Sequence, residues 1–535
     1  MTVGARAVGA GHLRSTLADM AGTGLRAGCG VVSAGLALGV AELISVPVGA
    51  GSAPLSALGS TMVDHTPDGV REWAIDTFGT NDKAVLYLLM GVVALIVAAG
   101  VGALERVARP IGSVVFGAFG VVAAWAAVER PAANWTWALP SVFGVAAAIV
   151  VLRWLIRRYE TAARGGSADT NRPSPSESVA AQIDRRQVVR GIVGVGVLAV
   201  AAGVVGRVLG ASVRSVSAER AAVRLPVPQA PEPPVVPGAD LRIPGLAPYL
   251  TPASDFYRID TALTVPQVST DDWSLRIHGM VDREIRLGYA DLARRQPIER
   301  LVTLTCVSNP VGGELIGNAR WLGYRLDELI AEAGPHPDAD MVLSRSTDGF
   351  TAGSPLAALT DGRDALLAIG MNGEPLPVEH GYPARLVVPG LYGYVSATKW
   401  VTELEITRFD RAQAYWTRRG WSARGPIKTG TRIDTPRGAV RSGPITVAGV
   451  AWAQHRGIEA VEVQIDNGPW QPAHLADEPS IDTWRQWSFA WDAPSGTHTI
   501  RARSTDGTGA VQTSDFADVI PDGASGYPAR TVRVA

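Results

Sequence analysis

Apolar residues are spread so unevenly along this chain that its two halves must fold in different solvents. Five runs of roughly 20 predominantly apolar residues, the length a helix needs to cross a hydrocarbon core, fall at about 28–49, 84–104, 110–128, 138–156 and 191–210. After position 250 the sequence is a soluble mixture of charged, aromatic and Gly/Pro residues. An all-α membrane bundle of about five helices is therefore expected over 1–210. The first run carries Glu42 and continues into a Pro/Gly/Ser-rich stretch at 47–60, which reads as a span followed by a re-entrant or surface segment. Glu42 itself is either an intramembrane functional group or a carboxylate snorkelling from a helix end.

Arginine placement orients the bundle, because short cytoplasmic loops retain positive charge. Arg6, Arg14 and Arg26 precede the first run, Arg106 and Arg109 separate the second from the third, and Arg153, Arg157, Arg158, Arg164 and Arg172 follow the fourth. The loops at 51–83 and 129–137 hold few cations and carry Trp73, Trp135 and Trp137, which favour a membrane interface. Five spans then make a multi-pass cell-membrane protein whose C-terminal half is extracytoplasmic. Val70, Trp73, Ala74 and Phe78 have near-helical spacing and suit an interfacial or packed surface helix.

The segment Ile183–Arg190 places Arg185–Arg186 directly before the fifth run, which resembles an internal twin-arginine export signal and reads equally as ordinary flanking charge. That pathway exports folded proteins and suits a chain loaded with a buried cofactor. The only histidines before position 278, His12 and His65, lie outside the spans, so bis-histidine haem within the membrane is excluded. Residues 211–248, with Pro226–Val227–Pro228 and Pro231–Glu232–Pro233–Pro234, have the composition of a semi-rigid extended linker.

The net charge of −1 and a pI near 6.7 provide no basic field of the kind nucleic acid requires. Membrane lipid and a small-molecule substrate are the expected partners. The two cysteines, Cys29 and Cys306, would join membrane to soluble domain if bridged. Cys306 follows the buried-strand pattern Leu301–Thr305 and opens a loop of small residues, Val307–Gly313, ahead of a helix around Leu326–Ile330. It reads as a buried structural thiol, a nucleophile or a thiolate metal ligand. No Gly-x-Ser-x-Gly elbow supports a hydrolase, and no second cysteine or close His pair supports zinc.

The blocks Thr305–Asn309, Ala319–Gly323, Met371–Pro377, His380–Gly390 and Lys399–Trp400 together resemble, in order and spacing over about 150 residues, the molybdopterin domain of sulfite oxidases. The resemblance implies a molybdenum–molybdopterin cofactor with Cys306 as the protein's sulfur ligand to the metal. It implies cofactor contacts from Phe256, Tyr257, Arg258, Asp260, Asn309, Asp348, His380, Arg385, Ala397, Thr398 and Lys399, and catalytic roles for Cys306, Trp321 and Arg456. Independently of it, an arginine fork and a lysine are what a phosphate needs, although Arg385 alone could be a surface pair and His380 a turn histidine.

Two departures bear on substrate. Phe350 stands where sulfite oxidases place an active-site tyrosine, and Val311 where they carry an anion-binding arginine. Sulfite would be short of positive charge there, whereas Arg456 favours some anionic or strongly polar substrate.

From about 435 the pattern becomes short alternating strands, such as Ala460–Asp466 before an Asn467–Gly468 turn, with further strands at Trp487–Trp491 and His498–Arg503. The expected architecture is thus the bundle (1–210), the linker (211–248), an α+β molybdopterin-binding domain of the sulfite oxidase fold (249–430) and an immunoglobulin-like β-sandwich (431–535). The resemblance adds a homodimer formed through that last domain. No iron–sulfur or Cys-x-x-Cys-His set occurs, so electrons must pass through a separate partner. The rival readings are a membrane-anchored binding protein with a degenerate molybdopterin fold, and a cysteine-nucleophile hydrolase.

Overall fold

The computed structural model describes residues 4–78, 81–131, 133–165 and 175–535, without the side chains of 4–21, 68, 71–72, 75–76, 164–165 and 175–185. Arg172 lies outside the described residues, as do the side chains of Arg6, Arg14, Arg164 and Arg185. The chain divides into two compact units: Met1–Ser215 with Ala262–Thr264, and Val216–Thr261 with Val265–Ala535.

The first unit is helical: α1 (Gly4–Val48), α2 (Pro54–His65), α3 (Asp68–Phe78), α4 (Asp82–Leu104), α5 (Ile111–Val128), α6 (Leu139–Gly165) and α7 (Pro175–Arg214). Five helical stretches are long and apolar enough to cross a membrane, and they coincide with the five runs in the sequence. α1 packs against α4, α6 and α7, and small residues permit the approach. A Cβ on Gly30 would collide with Ala98 O of α4, one on Gly206 of α7 would lie 2.7 Å from Leu43 N, and one on Gly144 of α6 would lie 2.5 Å from Ala37 O.

α1 runs unbroken to Val48 with Pro47 in its last turn, where the missing N–H ends the ladder. Gly49 then turns the chain at φ 146° against Trp137, and α2 begins within a few residues. Within 47–60 only residues 49–53 form the turn, and 54–60 already belong to α2. Glu105, buried after α4, accepts hydrogen bonds from Ser113 N (2.9 Å) and Ser113 Oγ (2.7 Å) at the start of α5, with Arg153 Nη1 3.7 Å away. A buried carboxylate is thereby satisfied at a helix N-terminus, where the dipole favours it.

The second unit opens with α8 (Ser217–Ala222). The stretch expected to be a linker is bound to the domain. Glu219 accepts from Thr270 N and Oγ1 (both 2.7 Å) and from Tyr382 Oη (2.9 Å). Arg220 donates to Leu376 O (2.8 Å) and Pro375 O (2.6 Å). Further on, Gln229 N donates to Pro297 O and Glu299 N to Ala230 O. Proline content keeps this segment extended, while its few polar groups find partners on the domain.

The central domain has two sheets. Strands β1 (Ser274–Gly279) and β2 (Ile285–Gly288) lead through α9 (Tyr289–Leu292) to β3 (Ile298–Thr305) and β4 (Ile316–Arg325). After α10 (Leu326–Ala333) come β5 (Met341–Ser346), β6 (Thr351–Pro355), α11 (Leu356–Thr360), β7 (Leu366–Met371), β8 (Glu374–Pro375), β9 (Arg385–Val387), α12 (Gly393–Ser396) and β10 (Val401–Thr407). One sheet has the order β2-β1-β10-β5-β6, with β1 and β10 parallel; the other runs β3-β4-β7-β8, with β9 also on β7. α10 buries Leu326, Leu329, Ile330 and Ala333 at helical spacing and stops at Gly334, whose φ of 67° only glycine adopts cheaply. Each such fully buried aliphatic side chain contributes about 1.5–3 kcal/mol of burial free energy.

The C-terminal region is two facing sheets around one core. Gly430–Thr435, Gly443–Trp452, Arg485–Ala493 and His474–Leu475 form the first, and Ala439–Val440, Ala529–Val534, Gly496–Asp506, Ile458–Ile465 and Gln471–Pro472 form the second. Val447, Trp487 and Ala451 from one sheet meet Val463, Ile500 and Val532 from the other. Asn467–Gly468 lies in the hairpin connection between Ile458–Ile465 and Gln471–Pro472.

Candidate functional site

β3 delivers Cys306 to the edge of its sheet. The strand is buried from Leu301 onward and pairs with β4 as far as Thr305↔Ile316. Cys306 N donates to Leu315 O (2.9 Å), Asn309 N donates to Cys306 O (3.1 Å), and Asn309 Oδ1 accepts from Leu315 N (2.9 Å). Asn309 thus closes the loop that carries the cysteine. Gly312 turns it at φ 76°, and a side chain on Gly313 would collide with Asn309. Cys306 is a free thiol, 8% exposed. Burial raises its pKa and the Ser308 hydrogen bonds oppose that rise, so the metal-free site favours the neutral thiol.

Beside it stands an aromatic wall. Phe256 stacks on Tyr257 (5.2 Å, 21°) and meets Trp321 and His380 edge-on at 5.8 and 5.6 Å. Burial raises the Tyr257 pKa, and its hydroxyl lies within electrostatic reach of both Cys306 and Arg385. The wall therefore links the thiol to the cation cluster.

Arg385 is 5% exposed, lies 5.1 Å above the Trp321 ring, and donates to His380 O (3.1 Å), Leu386 O (3.4 Å) and Ala397 O (3.4 Å). No carboxylate among the described residues pairs with it, and burial lowers its pKa to about 10. Lys399 Nζ contacts Asp260 Oδ2 (2.8 Å) and Glu379 O (3.0 Å). Burial drives its pKa down to about 8 despite Asp260. Arg258 Nε holds the same carboxylate at 2.9 Å. His380 faces Ala253 O through Nε2 at 3.0 Å; a carbonyl only accepts, so that nitrogen carries the proton. Burial first, then the Arg385 charge, lowers its pKa to about 4.

Thr398 Oγ1 meets Ser344 Oγ at 2.7 Å, and Thr398 O accepts from Leu386 N. Asp348 sits in the β5–β6 turn, where its Oδ1 accepts from Phe350 N (3.2 Å) and the neighbouring Thr347 N donates to Trp400 O. Cofactor-side candidates from five separate segments therefore converge. Trp321 is fully buried, its Nε1 donates to Val302 O (3.1 Å), and its ring lies under Arg385. Arg456 places Nε on Asp506 Oδ2 (3.0 Å) and Nη2 on Ile427 O and Thr429 Oγ1.

A cavity of about 30 Å³, room for roughly one water, is lined by Thr305, Asn309, Val311, Tyr392, Lys428 and Gln512 among others, and Arg456 is not part of its lining. Tyr392 and Lys428 were missed by sequence reasoning. The Tyr392 hydroxyl accepts from Lys428 N (3.4 Å), and its pKa is pushed up to about 12, chiefly by burial, with Cys306 and Arg456 in electrostatic range. Lys428 Nζ is bound to Asp522 Oδ1 (2.8 Å) and Gly523 O (2.6 Å). Tyr392 lies just beyond the matched block ending at Gly390, whereas no local signal marks Lys428.

A buried thiol beside a buried arginine that has no carboxylate partner among the described residues, with Lys399 adding a second buried cation shared with Asp260, suits a phosphate-bearing group held to the protein through one sulfur. The orphaned Arg385 charge is the feature that fits molybdenum–molybdopterin. Residues 262–416 match the family model described as oxidoreductase molybdopterin binding domain. The chain is 30% identical to the mitochondrial sulfite oxidase of Homo sapiens over 297 residues, covering 46% of this chain and 54% of that protein. It is 33% identical over 153 residues to the uncharacterized oxidoreductase YuiH of Bacillus subtilis, covering 29% of this chain and 74% of that protein. Among solved structures, the sulfane dehydrogenase SoxCD from Paracoccus pantotrophus aligns with a TM-score of 0.48 at 23% identity, over 53% of this chain and 81% of that one. The chain belongs to the sulfite oxidase-type molybdopterin-binding oxidoreductases, and molybdenum–molybdopterin is its cofactor. It spans about half the length of the sulfite oxidases it matches.

Proposed function

We propose that the chain is a membrane-anchored, extracytoplasmic oxidoreductase that performs two-electron oxygen-atom transfer on a small polar substrate other than sulfite. The observation that carries this reading is the Cys306 thiol set across an aromatic wall from an Arg385 guanidinium bonded only to carbonyls. When bound, the cofactor supplies the two-electron redox chemistry. Cys306 ligates the metal through sulfur; Arg385 and Lys399 hold the phosphate; Phe256, Tyr257 and Arg258, with Asp260, Asp348, His380, Ala397 and Thr398, line the pterin. Asn309 fixes the Cys306 loop.

Sulfite is disfavoured because Lys428, which lines the cleft, is already neutralised by Asp522, Arg456 is neutralised by Asp506, and Val311 lines the cleft without charge. A dianion entering there would lose water without gaining an unpaired cation. Electrons pass through a separate partner protein. The two-sheet C-terminal region is assigned as immunoglobulin-like and as the surface through which two copies pair. The proposed functional divisions are the bundle to about 210, the segment 211–248 fastened to the soluble unit from Val216 onward, the molybdopterin-binding domain 249–430 and the C-terminal region 431–535.

The reading predicts near one molybdenum per chain in protein purified from a host that makes the cofactor, and loss of activity in Cys306→Ser with pterin retained through Arg385 and Lys399. Metal-free, cofactor-free protein from such a host would sink it.

A further inference from the structure

From Arg411 to Ile433 the chain carries six cations, Arg411, Arg418, Arg419, Arg424, Lys428 and Arg432, and no Asp or Glu. Two of them are neutralised, Lys428 by the sequence-distant Asp522 and Arg432 by its near neighbour Asp434. Arg419 lies over the Tyr415 ring at 3.6 Å. Arg411, Arg418 and Arg424 are exposed, and none has an ion-pair partner among the described residues. Arg424 is held over the Phe409 ring at 5.3 Å. Trp416 and Trp421, each partly exposed, pack edge to face at 6.1 Å within the same segment. Exposed arginines interleaved with aromatic rings are the composition that protein interfaces favour.

This segment lies directly over the site. Tyr392 N donates to Gly425 O (2.8 Å) and Ile427 N to Gly390 O (3.0 Å). Tyr394 Oη donates to Ser422 O (2.7 Å), and its ring lies 5.8 Å from Trp421. Beneath is Gly393 of α12, where a Cβ would sit 3.8 Å from Thr305 O and 3.9 Å from Tyr257 Oη. A short packed path thus joins the residue before Cys306 to Trp421 at the surface. Within these 535 residues there are only two cysteines, and the described residues contain no cluster of three His, Cys, Asp or Glu able to hold a metal ion. Electrons released near Cys306 have no built-in carrier here.

We propose that the face formed by Arg411, Arg418 and Arg424 around Trp416 and Trp421 docks an acidic one-electron carrier protein; the proposal rests on the oxidoreductase reading above. In the oxidising direction, substrate and water give the oxygenated product, two protons and two electrons. The protons go to solvent, and two oxidised carriers take one electron each in successive encounters. Reduction runs the same balance in reverse. Unpaired arginines steer an acidic partner from a distance set by the Debye length, about 8 Å at physiological salt. Their planar guanidinium groups then pair with its carboxylates.

The test is binding, which needs no turnover. Full-length, detergent-solubilised protein is titrated with a c-type cytochrome of net negative charge and with one of net positive charge. Wild type should bind the acidic cytochrome at least about tenfold more tightly, with affinity falling as salt rises. Arg418→Glu/Arg424→Glu should abolish that preference while leaving molybdenum content and the rate with a small neutral dye unchanged. Arg441→Glu/Arg533→Glu, two exposed arginines of the C-terminal region, reverses the same number of charges, so it controls for net charge and should retain the preference. Equal binding of both cytochromes, salt-independent binding, or equal loss in both variants would overturn the docking face. Absence of molybdenum would instead overturn the functional reading and leave the binding result standing.

Discussion

Burial lowers the pKa of both His380 and Lys399. His380 has a folded pKa of about 4, below its ordinary value near 6.5. The folded state therefore binds fewer protons than the unfolded chain between those values, and stability falls as pH drops from about 6.5 to 4. The penalty reaches about 3 kcal/mol at most. Urea midpoints of the detergent-solubilised protein, followed by tryptophan fluorescence, should decline over that window, and His380→Gln should flatten the decline; an unchanged slope would show that His380 is not the titrating group. Lys399, at about 8, must be charged to hold a phosphate. Cofactor retention should weaken as pH rises through 8, measured as pterin fluorescence released on dialysis at pH 7 and pH 9, and Lys399→Met should release pterin equally at both. The roles proposed for Cys306 and these cations come from the sequence because the residues are compressed into contiguous motifs. The contacts of Trp321 and Arg456 are not readable there, because each depends on a partner distant in sequence, Trp321 on Val302 and Arg385, Arg456 on Asp506.

At the level of elements, the segment around α8 shows where composition misleads. A Pro-rich stretch that looked like a free spacer is fastened by two polar residues, Glu219 and Arg220, to the loop that carries Tyr382 and His380. Tyr382 is fully buried with its hydroxyl on Glu219. Glu219→Ala removes the carboxylate from the buried Tyr382 hydroxyl, at a cost of about 1–3 kcal/mol, and from Thr270 N, which is partly exposed. The expected result is a lower unfolding midpoint and faster pterin loss than in wild type; unaltered pterin retention would show that the segment does not support the His380 loop. The five apolar helices, α10 and the sandwich strands were readable because periodicity and run length are local properties. The parallel pairing of β1 with β10, Arg276↔Glu403, was not, since nothing near either strand names the other. Likewise Gly317 looks neutral in sequence, yet a Cβ there would press on the Phe256 ring at 2.7 Å. Gly317→Ala should tilt the stack and lower cofactor content without removing any ligand.

At the scale of the whole molecule, the first unit turns large apolar side chains outward: Leu88, Leu89, Val93 and Ile96 of α4 and Val193, Val197 and Val200 of α7 are all more than half exposed. Such a surface suits lipid and is a liability in water. Five spans with arginine-rich loops inside would place the C-terminal half outside. Cysteine substitution reads this directly, because the native Cys29 and Cys306 are both buried. On intact cells, a membrane-impermeant maleimide should label Asn134→Cys and Ala535→Cys, and should label Ala108→Cys only after lysis. Labelling of Ala108→Cys, or protection of Ala535→Cys, would overturn the orientation. The twin arginine can then be separated from simple flanking charge, since Arg185→Lys/Arg186→Lys keeps both cations and removes only the arginine pair. Positive-inside retention depends on charge, so under that reading Ala535→Cys stays labelled. An export machinery that reads the pair itself would fail to move the folded, cofactor-bearing half. Ala535→Cys would then become protected while Asn134→Cys, between the third and fourth spans, remains accessible.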